Sequence, residues 1–227
     1  MGPGTIRLGG IFIFVNIAVT IVGTLVAGAL SSEAAKAGQA PQFGVVNVAV
    51  MIVQMLLTFF ALLATKGLFN ANQYRGGDIP ILALVVVGAA LLLIVLVAGV
   101  NPQGLVAGRG GQTAGILGIV LLVLLLIYFV LALIFAITCI KFGGRGGGGL
   151  WKATGILYLI AMLIFVVAIL IVIAAVVSAQ GGGSGADAAT TVIGGGVLFF
   201  IGLIVGAAGL ICHGIGLILG AGKLQAR

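Results

Sequence analysis

A chain of 227 residues that is 63% hydrophobic and only 6% charged does not fold as a soluble protein. An average soluble domain is roughly 25% charged, and this chain has too little polar surface to cover an apolar core. The net charge of +7 would suggest nucleic acid in a soluble protein; here membrane topology accounts for it, and no nucleic-acid partner is expected.

Crossing the hydrocarbon takes about 20 apolar residues. Spans are predicted near 8–30, 44–65, 79–100, 114–140, 152–178 and 189–220. The expected fold class is all-α: a polytopic membrane protein of six transmembrane helices, arranged as three hairpins in one integral membrane domain, 1–227.

The first segment opens on Arg7, and with Val26-Ala27-Gly28-Ala29 it has the outline of a signal peptide; it is counted as a helix. Its polar residues Asn16, Thr20 and Thr24 recur every fourth position, which puts them on one stripe. On the second segment Asn47, Gln54, Thr58 and Thr65 recur at seven, four and seven. At 1.5 Å rise per residue, Asn16 and Thr58 reach about the same depth, so the two stripes are able to face one another. Interhelical hydrogen bonds are the plainest use of such a stripe; a path for a small neutral solute is the alternative.

Asp78 followed by Ile79 and Pro80 predicts a helix start, with proline in the first turn. Asn101-Pro102 predicts the end of that third helix, and Thr113 an N-cap for the fourth. The fourth and sixth segments hold the two cysteines, Cys139 and Cys212, which read as small buried residues. The Gly-rich stretches over 143–149 and 181–185 are expected to be flexible connectors. Trp151, Tyr74 and Phe142 are expected at the membrane interface.

The sixth segment, with Asp187 as its predicted N-cap, is too long for one simple span: about 32 residues rise roughly 48 Å. Either Gly194-Gly195-Gly196 breaks it, or its first turns stand outside the membrane. It carries Gly202, Gly206, Gly209, His213, Gly216 and Gly220 at steps of four and three. That 3.5-residue repeat aligns all six on one seam, where missing side chains allow close helix approach. His213 is the one large side chain on this face and the only histidine in the chain. It is expected to hydrogen-bond across helices; an axial ligand role to a haem or pigment is the further reading. No metal site and no bound cofactor is expected otherwise.

Lys and Arg divide unevenly. Arg7, Lys66, Arg75, Lys141, Arg145, Lys152, Lys223 and Arg227 fall on one side, Lys36 and Arg109 on the other. The positive-inside rule then makes both termini cytoplasmic, in a cytoplasmic or inner membrane. The hairpins 7–66, 78–141 and 152–223 form candidate parallel repeats: Leu25-Val26-Ala27-Gly28 recurs as Leu96-Val97-Ala98-Gly99, and Gly38-Gln39 as Gly111-Gln112.

Gly182-Gly183-Ser184-Gly185 with His213-Gly214-Ile215-Gly216 resembles the Ser and His motifs of rhomboid intramembrane proteases. Their dyad joins two helices, whereas Ser184 feeds the same helix as His213, about 43 Å away at helical rise. The Gly-rich hairpins resemble the proteolipid subunits of rotary ATPases, which need a carboxylate at mid-membrane; Glu33, Asp78 and Asp187 all fall in loops or at helix ends. Three two-helix repeats resemble mitochondrial carriers, without the Pro-x-Asp/Glu-x-x-Lys/Arg signature. HExxH, CxxC and Walker-type motifs are absent from the sequence. The expected function is therefore not enzymatic. It is a structural subunit or scaffold of a larger membrane assembly, in contact with the lipid bilayer and with other membrane subunits or copies of itself. A transporter or channel is the alternative, and pigment or cofactor binding through His213 the third reading.

Overall fold

The computed structural model describes residues 1–36, 45–97, 111–180 and 185–226. Helices α1 (Pro3–Lys36), α2 (Val45–Ala71), α3 (Asp78–Val97), α4 (Gly111–Phe142), α5 (Gly149–Gln180) and α6 (Gly185–Gln225) account for nearly all of them; there is no strand among the described residues. All six helices are long and apolar enough to cross a membrane. Large apolar side chains such as Leu25, Val86, Leu122 and Leu163 are more than half exposed, as a hydrocarbon solvent permits. Helices satisfy their backbone polar groups internally, which is why apolar segments of this length take that form in lipid. The chain is a multi-pass membrane protein.

Two compact units result, Met1–Ile134 with Gly214–Arg227, and Phe135–His213. The division runs through α4 and α6 rather than between helices.

In the first unit α1 and α2 pack along most of their described length. Gly9 abuts Ala64, the rings of Phe12 and Phe60 meet edge-on at 5.5 Å, and a Cβ at Gly23 would lie 2.7 Å from Val50. Residue numbers rise on one helix as they fall on the other, so the pair is antiparallel. The end of α6 crosses α1 at two glycines: a Cβ on Gly10 would lie 2.7 Å from the Gly214 carbonyl oxygen. α2 ends in a left-handed turn at Gln73 (φ 58°), and Tyr74 N–H donates to the Phe69 carbonyl at 2.8 Å. α3 then starts at Asp78, as the sequence predicts, with its carboxylate in the first turn and 3.8 Å from Lys66.

In the second unit α5 packs on both α4 and α6. Gly155 abuts the Ala136 carbonyl and Ile140 of α4; Gly202 meets Phe165, Gly206 meets Ala161, and Gly209 meets Tyr158.

Two local expectations are corrected, and one pair of alternatives is decided. The glycines over 143–149 form a tight turn, not a loose connector: Gly143 is buried against the Lys152 backbone, and Gly146 (φ 111°) and Gly148 (φ 92°) take conformations that favour glycine. Trp151 and Phe142, at the ends of α5 and α4, are 2% and 3% exposed and packed edge-on at 5.4 Å beneath this turn; Tyr74 is half-buried against Phe69. Thr113 and Asp187 lie two residues inside α4 and α6, which start at Gly111 and Gly185. Of the two alternatives for the sixth segment, the break is ruled out: α6 runs unbroken through Gly194–Gly196. Glycine weakens a helix through its backbone entropy and by exposing the backbone to water; in hydrocarbon the second cost is absent and a break would leave polar groups unsatisfied. Asn101-Pro102 and residues 181–184 lie outside the described residues.

Candidate functional site

Two polar constellations stand out within the spans, one in each unit. The first joins α1 to α2. Asn16 Nδ2 donates to Thr58 Oγ1 at 3.1 Å, and the Thr58 hydroxyl donates to the Gln54 backbone carbonyl at 2.8 Å. Gln54 Nε2 donates to Thr20 Oγ1 at 2.8 Å, and the Thr20 hydroxyl donates to the Asn16 backbone carbonyl at 2.8 Å. The four side chains thus form a closed reciprocal circuit. Each threonine turns its proton back into its own helix and offers its oxygen to an amide on the other. This arrangement follows from spacing: residues four apart on a helix share a face, and a threonine hydroxyl reaches the carbonyl one turn back.

Thr24 Oγ1 donates to the Thr20 carbonyl at 2.8 Å, within α1. Thr65 does the same to Ala61 within α2. The side chain of Asn47 lies outside the described residues. Asn16 Oδ1 is enclosed without a donor.

The second constellation surrounds His213, which is 3% exposed. Its Nδ1 shares a hydrogen bond of 3.1 Å with the Tyr158 hydroxyl. The rings of Trp151, Phe135 and Tyr158 stand at centroid distances of 5.3, 5.8 and 6.1 Å. α4 contributes Phe135, α5 contributes Trp151 and Tyr158, and α6 contributes the histidine. Axial ligation by His213 would require a macrocycle to displace these rings. Among the described residues no group of three or more His, Cys, Asp or Glu side chains comes together to hold a metal ion.

The glycine seam divides between the units. Gly202, Gly206 and Gly209 face Phe165, Ala161 and Tyr158 of α5, one turn after another, with His213 continuing that face. Gly216 is buried and Gly220 packs on Leu68, both in the first unit. Approaches as close or closer fall on glycines outside the seam. Gly9, Gly10, Gly155 and Gly214 each have a neighbouring helix where a side chain would go. One signal for Gly9 is present in the sequence: Gly9, Asn16 and Gly23 recur every seven residues, and all three face α2. Gly155 has no comparable pattern around it.

Comparison with protein-family models, with curated proteins and with solved structures finds no match. The geometry therefore carries the functional reading by itself.

Proposed function

We propose that this chain is a non-catalytic integral membrane subunit or scaffold that packs helix-to-helix within a larger membrane assembly. One observation carries the reading. Among the described residues, the side-chain to side-chain hydrogen bonds Asn16–Thr58, Gln54–Thr20 and Tyr158–His213 each join one helix to another. Polar groups in hydrocarbon are expensive and usually functional, and here they hold helices together. The circuit that closes the α1–α2 stripe on itself favours this reading over a solute path. The rings packed around His213 favour it over a pigment site.

In this reading the six helices are three hairpins, with both termini on the cytoplasmic side of a cytoplasmic or inner membrane. Eight of the ten Lys and Arg residues then face the anionic leaflet. Partners are lipid and other membrane subunits or copies of this chain. The test is purification from native membranes in mild detergent. A defined complex of fixed composition is the expected result. A monomer free of partners that carries a small solute across proteoliposomes, with flux lost in the Asn16→Leu, Gln54→Leu double variant, would replace this function with transport.

A further inference from the structure

The α4–α5 turn gathers positive charge with no carboxylate near it in the sequence. Lys141 stands in the last turn of α4, Arg145 in the turn itself and Lys152 in the first turn of α5. All three are exposed. The chain has three carboxylates, and none lies between Asp78 and Asp187. Asp78 is engaged by Lys66. Asp187 precedes His213 by 26 residues on α6, roughly 39 Å at helical rise, whereas His213 lies against Trp151 beside the turn. Among the described residues neither Lys141 nor Lys152 has an ion-pair partner.

The two lysines meet over one glycine. Gly143 lets the Lys152 backbone close on the end of α4, and the Lys152 side chain then runs across the turn. Its Cγ lies 2.7 Å from where a Cβ on Gly143 would stand, and its Cε lies 3.7 Å from a Cβ on Gly144. Lys141 is three residues before Gly144 and so shares its face. Beyond its own chain neighbours and helix backbone, Gly144 meets nothing else within 4 Å among the described residues. The surface over it is open, bordered by Lys152 and on the face of Lys141.

Each lysine also ends a face that looks into hydrocarbon. Lys141 shares one face of α4 with Ile137, four residues earlier; Lys152 shares one face of α5 with Ile156 and Leu163, four and eleven residues later. These three apolar side chains are exposed. The turn joins two membrane-spanning helices, so it stands where hydrocarbon gives way to headgroups. A molecule lying along these faces meets apolar side chains first and cations at their end. That order matches an amphiphile with an anionic head. A soluble phosphate would use the cations alone, and an acidic protein segment would leave the apolar faces to something else.

We infer that the α4–α5 turn binds the phosphate of an anionic phospholipid, held over Gly144 by Lys141 and Lys152, with the acyl chains along Ile137, Ile156 and Leu163. Arg145 adds charge beside the site. This names one site within the general attraction of basic loops to an anionic leaflet. It needs the membrane spans but not the subunit reading, and its failure would leave that reading untouched.

The test is native mass spectrometry of the full chain in detergent, titrated with dioleoylphosphatidylglycerol or dioleoylphosphatidylcholine. The expected result is one phosphatidylglycerol bound more tightly than phosphatidylcholine. A lysine beside a membrane surface contributes about a fivefold preference, so Lys152→Gln should weaken phosphatidylglycerol about fivefold and leave phosphatidylcholine unchanged. Lys152→Arg should retain the preference. Gly144→Leu covers the open surface without changing charge, and its Cβ makes only an ordinary contact with Lys152. It should lose the preference while the melting temperature holds. Arg75→Gln removes the same charge from the exposed α2–α3 connection and should have no effect. Equal binding of the two lipids overturns the inference, as does phosphatidylglycerol binding unchanged by Gly144→Leu. A loss in Arg75→Gln as large as in Lys152→Gln reduces the site to diffuse surface charge. Complete displacement of the lipid by inorganic phosphate at matched ionic strength makes it a soluble-phosphate site instead.

Discussion

Replacing Gly155 with alanine adds one methyl group where α5 crosses α4. That methyl carbon would collide with the Ala136 carbonyl and lie 2.6 Å from Ile140 Cγ1 and 2.9 Å from Ile140 N. Two of these three neighbours are backbone, so no rotamer change relieves the contact. α5 must retreat by roughly half an ångström to one ångström, and overpacking of this kind costs about 1–3 kcal/mol. The same substitution at Gly206 has the opposite sign. Its methyl would stand 3.7 Å from the Ala161 methyl, an ordinary contact, and a helical Gly→Ala change that fits gains about 0.4–1 kcal/mol. The two variants should therefore differ by roughly 1.4–4 kcal/mol. The assay is thermal unfolding in detergent, followed by the fluorescence of Trp151. It is the only tryptophan in the chain, and it lies buried one turn from Gly155. Gly155→Ala should unfold several degrees lower than the native chain, with red-shifted emission before the transition. Gly206→Ala should match or exceed the native chain. Equal stability of the two variants would refute the packing argument.

Other expectations concern the polar contacts. A double-mutant cycle with Asn16→Leu and Thr58→Val, read by unfolding in detergent, should give a coupling of about 0.6–1.7 kcal/mol, the range of hydrogen bonds between membrane helices; additivity would remove the bond from the account. Tyr158→Phe should lose about 0.6 kcal/mol with the fold kept. His213→Ala should lose about 2–4 kcal/mol and red-shift Trp151, because it leaves a void beside Phe135 and Trp151. Asp78→Asn should change stability by less than about 1 kcal/mol. Its contact with Lys66 is 3.8 Å long, and both side chains are partly exposed. Cys139, fully buried, should resist a small thiol reagent until the protein unfolds.

Some of the site was legible in residue spacing. The four-residue repeat of Asn16 and Thr20 places both on one face, and helical rise matches Thr58 to the depth of Asn16; the circuit in the structure joins those residues. The environment of His213 was not legible. Trp151 and Phe142 sit next to a lysine and a glycine turn, where aromatics usually mark an interface. The turn packs Trp151 against His213 of α6, because Gly143 lets the Lys152 backbone approach.

Composition and hydropathy by themselves determined that this is a membrane protein of six helices. A chain so poor in charge has one solvent that suits it, and in that solvent continuous apolar runs of about 20 residues satisfy their backbone as helices, since the other solution, a closed barrel, needs short alternating strands. Periodicity determined which small and polar residues share a face. Only the tertiary structure decided which of those faces meet. Glycine at a helix surface permits close approach without specifying the neighbour, so Gly206 and Gly155 look alike along the chain. They differ because α4 presents a carbonyl to one and α5 presents a methyl to the other. The same holds for Lys152. Its charge is plain in the sequence, but only the close turn between α4 and α5 lays its side chain across Gly143 and Gly144, on the face of Lys141.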